Sequence, residues 1–212
     1  MERKGFLMVT MEPPPAMEEE FNDWYDTEHI PEREAVDGFE TSRRYVCLSG
    51  FPRYMAAYDL TSPGVLTDGP YQRIAGDRYS PWTRRILNKA RGLWRVTGEQ
   101  IHPGQAQVTQ APRLLLLHYC GIPERSEARF VDAIRATYEV HDQVIQVRII
   151  RDEPRSGGTP DHVVLIEGRG DLGALRGPAT EGEHGGRLVL ANEYARYWAY
   201  SSNSELGKVV AG

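Results

Sequence analysis

Long apolar runs, lysine-rich runs and paired cysteine motifs are all missing from this sequence of 212 residues. No window comes near the ~20 consecutive apolar residues of a membrane-spanning helix, so we expect no contact with a membrane interior. The formal net charge is −5, and the basic residues are mostly scattered arginines. Because phosphate binding needs a concentrated positive surface, the sequence also predicts that nucleic acid is not a partner.

Cysteine is scarce, since Cys47 and Cys120 are the two in the chain. Neither belongs to a Cys-x-x-Cys pair or to a Cys/His ligand pattern, which disfavours a disulfide framework or a zinc finger. Two unpaired thiols are typical of a protein in the reducing cytoplasm. The apolar run near the first residue is too short for a signal peptide, so we expect a cytoplasmic protein.

The sequence contains instead an order of strand-like and helix-like segments that occurs twice. In residues 1–106, strands are predicted at 6–11, 42–48, 53–60 and 93–101, with helices at 18–29 and about 65–75. A Pro/Gly/Gln-rich segment, "HPGQAQVTQAP", then precedes the second half. In residues 107–212, strands are predicted at 113–120, 144–150, 163–167 and 187–200, with helices at 124–139 and in "DLGALRG".

Each half therefore has the order β-α-β-β-α-β, which is the ferredoxin-like unit. Two helices cover one face of such a four-stranded sheet and leave the other face bare. The predicted fold class is α+β, in which two tandem ferredoxin-like units, 1–106 and 107–212, pack sheet to sheet as an α/β barrel. A homodimer with a second chain is an alternative that the sequence leaves open.

The segment "EEEFNDWYDTEHIPERE" holds the most informative candidate residue, His29. Phe21, Tyr25 and His29 recur at every fourth position, which places them on one face of a helix. Pro31 disfavours helical geometry at the residue before it, so the helix is predicted to end at about His29. A histidine there can titrate near neutral pH and act as a general acid or base. The alternative is a structural cap whose ring N–H donates to a carbonyl oxygen.

The run "FNDWYDTEHIPER", followed by "GF", "RRYV", "PRYMAAYDL" and "SPWTRRI", resembles the EthD-like group of the dimeric α/β-barrel superfamily. The resemblance covers roughly residues 5–100 and depends most on Asn22, Trp24, Tyr25, His29 and Pro31. The second half matches only in its order of predicted elements. This resemblance implies a barrel with a small-molecule site, in a superfamily of isomerases, cyclases, cofactor-free monooxygenases and haem-dependent enzymes.

His29 is the candidate group for proton transfer, and Asp26, three residues earlier on the helix, is near enough to orient its ring. Tyr54 and Tyr58 lie four residues apart on one strand and share a face. With Tyr45 on the preceding strand, they are predicted to hold a developing oxyanion if that face lines the barrel interior. The alternative is that these tyrosines are core aromatics with satisfied hydroxyl groups.

Five residues are candidates for substrate binding. Trp24 and Tyr25 belong to the motif that supports the resemblance, and Arg43 is placed to bind a carboxylate. Tyr194 and Trp198 fall on one side of the last predicted strand, where so many aromatic residues indicate a ligand wall or an interface. An ordinary core explains these aromatic residues equally well.

His118 and His162 also lie in predicted strands, but nothing in their spacing to each other or to His29 indicates a metal site. We therefore predict no metal and no organic cofactor. The leading hypothesis is an enzyme that isomerises, cyclises or eliminates by acid/base chemistry on a planar, oxygenated, apolar small-molecule substrate. A cofactor-free monooxygenase of a phenolic substrate and a non-catalytic binding module are the alternatives, and a haem-dependent variant would be coloured when purified.

Overall fold

Eight antiparallel strands close a barrel in the computed structural model, which describes residues 3–152, 158–176 and 185–197. The first half of the chain supplies β1 (Gly5–Glu12), β2 (Phe39–Ser49), β3 (Tyr54–Leu60) and β4 (Arg91–His102). The second half supplies β5 (Arg113–Cys120), β6 (Val144–Asp152), β7 (Asp161–Gly168) and β8 (Arg187–Tyr197). The strands predicted from short apolar runs are therefore present, with longer limits in most cases.

Around the barrel the strands follow the order β4-β1-β3-β2-β8-β5-β7-β6, and β6 pairs with β4 to close it. Each half of the chain thus contributes four neighbouring strands in the same internal order. The predicted α+β barrel is confirmed, and it closes within one chain. The division into two tandem ferredoxin-like domains at 1–106 and 107–212 stays a prediction.

Helices cover the outer faces of the barrel. In the first half these are α1 (Glu18–Trp24), a π-helical turn (Tyr25–His29), α2 (Ile30–Glu34), α3 (Gly69–Gln72) and α4 (Pro81–Leu87). In the second half, α5 (Glu127–Tyr138) packs on the outer face of β5, β6 and β7. The segment "DLGALRG", predicted as a helix, forms only a 3₁₀ turn at Gly173–Leu175, in keeping with the poor helix propensity of glycine. Among the helices of the described ranges, none has the length and apolar content needed to cross a bilayer.

Side chains along each strand alternate between the barrel interior and the layer under the helices, as the pleat of a strand requires. In β1, Phe6 and Met8 pack in the interior cluster, whereas Leu7 and Met11 pack under the helices of the first half. The same alternation assigns every candidate residue on a strand to one of these two compartments.

The prediction that the first helix ends at His29 is wrong. The helical backbone continues through the π-helical turn and α2 as far as Glu34. The amide of Ile30 donates to the carbonyl of Tyr25, five residues earlier, which is the wide spacing of a π turn. Because proline removes a backbone donor and crowds the carbonyl four residues before it, a wider turn before Pro31 lets the helix proceed.

A buried ion-pair group joins the two halves inside the barrel. Arg148 of β6 donates to Asp59 of β3 at 2.6 Å and to Glu167 of β7 at 2.9 Å. All three side chains are at most 3% exposed. The amide groups of Val108 and Thr109, in the segment that links the halves, donate to the same two carboxylates. This group therefore fixes the linking segment against the barrel.

Candidate functional site

His29 lies in a compartment between residues 18–34 and the outer face of β1, β2 and β3, which we call the helix-side compartment. Its side chain is packed against Trp24 and Tyr25, with ring centroids 4.1 and 5.3 Å away. The residue is 8% exposed, and its Nδ1 atom is buried without a hydrogen-bond partner. At this nitrogen, the hydrogen bond of the alternative, a structural cap, is therefore not formed. A buried nitrogen without a partner is able to form a hydrogen bond with a ligand.

Burial and two nearby cations determine the charge of His29. Burial of the ring, and then the positive charges of Arg33 and Arg44, hold the pKa of His29 well below its usual value of 6.5. The imidazole is therefore neutral at neutral pH and can accept a proton. Because each of these causes opposes the charged form, His29 is also a weaker base than an exposed histidine.

We expected Asp26 to orient the ring of His29, but it bonds to Arg44 instead. Its carboxylate accepts a hydrogen bond from Arg44 at 2.9 Å, while the other guanidinium nitrogen of Arg44 donates to Asn22. The guanidinium also stacks over the rings of Tyr25 and Tyr197, at 4.5 and 4.2 Å from their centroids. Partial burial raises the pKa of Asp26, and the charge of Arg44 lowers it. Asp26 thus positions Arg44 at the helix, and any effect on His29 is indirect.

Tyr54 and Tyr58 face the helix-side compartment and not the barrel interior, so the condition attached to their predicted role in the interior is not met. Tyr54 donates to Glu18 and accepts from Asn22. The hydroxyl of Tyr58 is buried without a partner, and so is the hydroxyl of Ser42, its register partner on β2. Burial raises the pKa of Tyr58, so its hydroxyl remains protonated and available as a donor.

Three other candidates point to the opposite side of the sheet. Tyr45 and Tyr194 belong to the interior cluster of the barrel. Arg43 pairs in register with Ala57, another interior residue, and donates to the carbonyl of Ser42 at 2.9 Å. The sheet therefore separates these side chains from His29, and the candidates do not form one constellation. Trp198 lies outside the described residues.

We predicted that Trp24 binds substrate, but in the structure it makes a hydrogen bond to another helix. Its indole N–H donates to the hydroxyl of Thr83 in α4 at 3.0 Å. Thr83 and Ser80 both donate to one oxygen of Glu28, which lies on the π-helical turn. This chain of bonds fixes the turn that holds His29 against α4, so Trp24 forms a wall and an anchor of the compartment.

The sequence did not identify Arg44 and Asn22 as members of the site. The sequence did hold a signal for both residues. Asn22 is part of the motif, and Arg44 follows Arg43 on β2, so the two arginine side chains point to opposite faces. The side chain of Arg44 is 3% exposed, so it is buried under the helices. Strand alternation assigns the two arginines to opposite faces, but it does not say which face a helix covers.

A cavity of ≈ 670 Å³ opens beside this compartment, on the outer face of β4. The buried side chain of Tyr71 forms part of its wall and lies 5.9 Å from the ring of Phe39. Phe39 in turn lies 5.7 Å from the ring of Tyr58. The cavity is lined by Pro63, Gly64, Leu66, Thr67, Tyr71, Gln72, Ala75, Gly76, Tyr79, Arg95, Thr97 and Gly98. Aromatic rings in contact therefore connect the cavity wall to the unpaired hydroxyl of Tyr58.

The volume and the mixed lining suit a partly apolar organic molecule of moderate size. Phenol, amide, hydroxyl and guanidinium groups belong to the lining, from Tyr79, Gln72, Thr67 and Arg95. It includes no histidine, cysteine or methionine. Of the usual axial ligands of haem, the described lining therefore holds tyrosine alone.

No family model matches this chain, and no curated protein matches it. Solved structures do match over nearly the whole chain. A structure described as an anthrone oxidase-like protein has a TM-score of 0.66 at 11% identity, covering 93% of this chain and 92% of that one.

Two further solved structures agree with this result. A "putative chlorite dismutase" has a TM-score of 0.61 at 10% identity and covers 93% of this chain and 96% of its own. A "putative monooxygenase" from Lactobacillus acidophilus NCFM has a TM-score of 0.54 at 8% identity, with coverages of 92% and 94%. Identities this low establish shared architecture and not shared chemistry. The chain therefore has the dimeric α/β-barrel fold, with both halves of the barrel in one polypeptide.

Proposed function

We propose that this protein is an enzyme that removes a proton from a hydroxylated aromatic small molecule, whose anion then reacts with dioxygen without an organic cofactor. The proposal rests first on one observation, a neutral buried histidine with an unpaired ring nitrogen in a compartment that also holds the unpaired hydroxyls of Tyr58 and Ser42. The names of two similar folds, an anthrone oxidase-like protein and a monooxygenase, favour oxygen chemistry over isomerisation.

In such a reaction the substrate enters through the cavity beside Tyr71. His29 and Tyr58 do not line that cavity, so the rings of Tyr71 and Phe39 must move aside for the substrate to reach them. His29 accepts the proton that leaves an acidic C–H or O–H group of the substrate. Neutral hydroxyl donors stabilise the oxyanion that forms, because in a water-poor site such donors are stronger than in solution. Tyr58 and Ser42 are the candidates for this role, since their hydroxyl groups have no other partner.

The oxidation that follows balances without a further reductant. For an anthrone-type substrate, a ring CH₂ group and one molecule of O₂ give a ring carbonyl and one molecule of water. One oxygen atom enters the product, and the two hydrogen atoms leave with the other. The protein's own contribution is the first proton transfer, the placement of the anion and the exclusion of bulk water.

The test is oxygen uptake by the purified protein with a panel of anthrones and polyhydroxylated naphthalenes. We expect oxygen consumption equal to the product formed, and a loss of at least ~100-fold in kcat/KM in the His29→Ala variant, the usual scale for a lost general base. His141→Ala is the matched control, because this histidine lies beyond α5 in the other half of the chain. Its activity should equal that of the wild type.

Other outcomes would redirect the assignment. Turnover of these compounds without oxygen uptake would favour the acid/base isomerase or cyclase predicted from the sequence. Tight binding without turnover would favour a binding module. Unchanged activity in His29→Ala would remove His29 from the mechanism. The absorption spectrum of the purified protein is measured alongside, because a haem band would show that a cofactor takes part.

A further inference from the structure

Three side chains of different chemistry converge in the second half of the chain, away from the helix-side compartment. They are His118 and Cys120 of β5 and Asp161 of β7, and each is half-buried. The Nε2 atom of His118 is 3.0 Å from a carboxylate oxygen of Asp161 and 3.4 Å from the sulfur of Cys120. One nitrogen, one sulfur and one oxygen atom all lie within 4.8 Å of one another.

The strand pairing explains why these residues meet. His118 and Cys120 are two residues apart on β5, so they share a face, and that face also holds the interior residues Leu114 and Leu116. Asp161 is the first residue of β7 and comes directly before His162, which pairs with Tyr119 of β5. Asp161 is 43 residues from His118 in sequence, so the spacing of residues along the chain could not reveal this cluster.

Hydrogen bonds hold the three side chains together. Asp161 bonds to both His118 and Cys120, and the sulfur of Cys120 also approaches the Nε2 atom of His118. The nitrogen, sulfur and oxygen atoms therefore surround a common point, which is also the arrangement of ligands around a metal ion.

The distances and the charge also suit a metal. A tetrahedral zinc ion has bonds of about 2.3 Å to sulfur and about 2.0 Å to nitrogen and oxygen, so its ligand atoms lie roughly 3.3–3.6 Å apart. The observed separations of 3.0 and 3.4 Å are close to this spacing. A thiolate and a carboxylate together neutralise the charge of a divalent ion, and sulfur with imidazole favours zinc-like ions over magnesium or calcium.

We propose that His118, Cys120 and Asp161 bind one divalent transition-metal ion of the zinc class, with the fourth coordination position open to water. The site joins β5 to β7 at one end of the barrel interior. The ring of Trp94 on β4 stacks on His118, with centroids 4.5 Å apart at 26°, and holds the imidazole in place. This fixed orientation is what a histidine ligand requires. The proposal does not depend on the proposed function.

The test uses full-length protein without an affinity tag, stripped of metal by a chelator and titrated with Zn²⁺ alone and then with Co²⁺ alone. We expect one equivalent of either ion to bind, and Co²⁺ to produce the charge-transfer absorption of a thiolate ligand. In Cys120→Ser this band disappears. Affinity for Zn²⁺ falls by more than ~100-fold in His118→Gln, which exceeds the loss usual for residues that only support a ligand.

Cys47→Ser is the matched control, because Cys47 is the other half-buried free thiol of the chain. It should bind both ions as the wild type does. Asp161→Asn serves as a third variant, since its more exposed side chain makes loss of folding a minor risk. Failure of the wild type to bind a stoichiometric ion would overturn the proposal. So would equal binding by the wild type, Cys120→Ser and His118→Gln, or equal loss in Cys47→Ser.

Discussion

At the scale of single residues, burial decides what His29 can do. The same side chain on an exposed helix would titrate near 6.5 and carry a partial charge at neutral pH. Here the protein interior and the cations Arg33 and Arg44 all oppose protonation. The residue is therefore neutral in the folded protein, and its unprotonated ring nitrogen can accept a hydrogen bond or a proton.

This lowered pKa makes a contribution to stability that depends on pH. Above pH 6.5 His29 is neutral in both the folded and the unfolded chain, and it adds no pH dependence. As the pH falls below 6.5, His29 becomes protonated in the unfolded chain but stays neutral in the folded protein. The free energy of unfolding therefore falls by up to ~1.4 kcal/mol per pH unit. Urea unfolding of the wild type and His29→Gln between pH 7.5 and 5 measures this. We expect a steeper decline in the wild type, and parallel curves would contradict it.

Arg44 is the buried cation of the helix-side compartment, and its loss should be severe. Arg44→Met leaves the carboxylate of Asp26 and the amide of Asn22 without their partner. We expect a loss of about 3 kcal/mol in the free energy of unfolding, the scale for breaking a buried pair on one side. Chemical denaturation provides the measurement.

The control is Arg53→Met, because Arg53 pairs with Glu18 at the surface, where its side chain is 50% exposed. That change should stay within about 1 kcal/mol. Equal effects of the two substitutions would mean that the Arg44 contacts are not a special source of stability.

At the scale of elements, the position of the π-helical turn depends on α4. The side chain of Ser80 caps α4 by accepting from the amide of Thr83 at 2.9 Å, and its hydroxyl donates to Glu28 on the turn. One small residue thus satisfies a helix end and joins two elements. The pattern Ser80-Pro81 is typical of a helix start, so the sequence indicates the capping role. The contact with Glu28 has no such signal in the sequence.

Ser80→Ala should therefore weaken both elements. We expect the free energy of unfolding to fall by about 1 kcal/mol, since the capping bond is lost and Glu28 keeps only its contact with Thr83. Thermal unfolding followed by circular dichroism measures the change. In the control Thr67→Ala, an exposed hydroxyl that bonds to a turn carbonyl is removed, and stability should barely change. A loss as large in Thr67→Ala would show that the cap has no particular importance.

At the scale of the whole molecule, the barrel is continuous across the two halves of the chain. The seams β2–β8 and β4–β6 are closed by antiparallel backbone pairing, although over fewer of the described residues than the strand pairs within each half. Arg148 adds a buried connection, because its two carboxylate partners come from different halves. A barrel built in this way should unfold as one unit.

Arg148→Met tests this connection. The change leaves Asp59 and Glu167 buried without their cation, so we expect a loss of about 3–5 kcal/mol. Tryptophan fluorescence and far-UV circular dichroism should report one coincident transition in the wild type. Arg135→Met, at an exposed pair on α5, should leave stability within about 1 kcal/mol. Two separate transitions in the wild type would contradict the single cooperative unit.

The sequence by itself determined the strands, the α+β class and the barrel, because short apolar runs separated by glycine and proline are local signals of strands and turns. The sequence also placed His29 on the same helix face as Phe21 and Tyr25, since the spacing of residues along a helix is a local property; its role in catalysis stays a prediction. It did not predict the continuation of the helix past Pro31, because tertiary packing accommodates a π turn that local preferences disfavour.

Only the tertiary structure decided which face of each strand meets the helices. Alternation places Tyr45 and Arg44 on opposite faces but does not say which face is covered, so the separation of Tyr45 from His29 was not predictable. The same is true of residues distant in sequence, such as Asp161 beside His118 or Arg148 between Asp59 and Glu167. Their contacts follow from strand register around a closed barrel. The register between strands that are distant in sequence cannot be predicted from the local sequence of either strand.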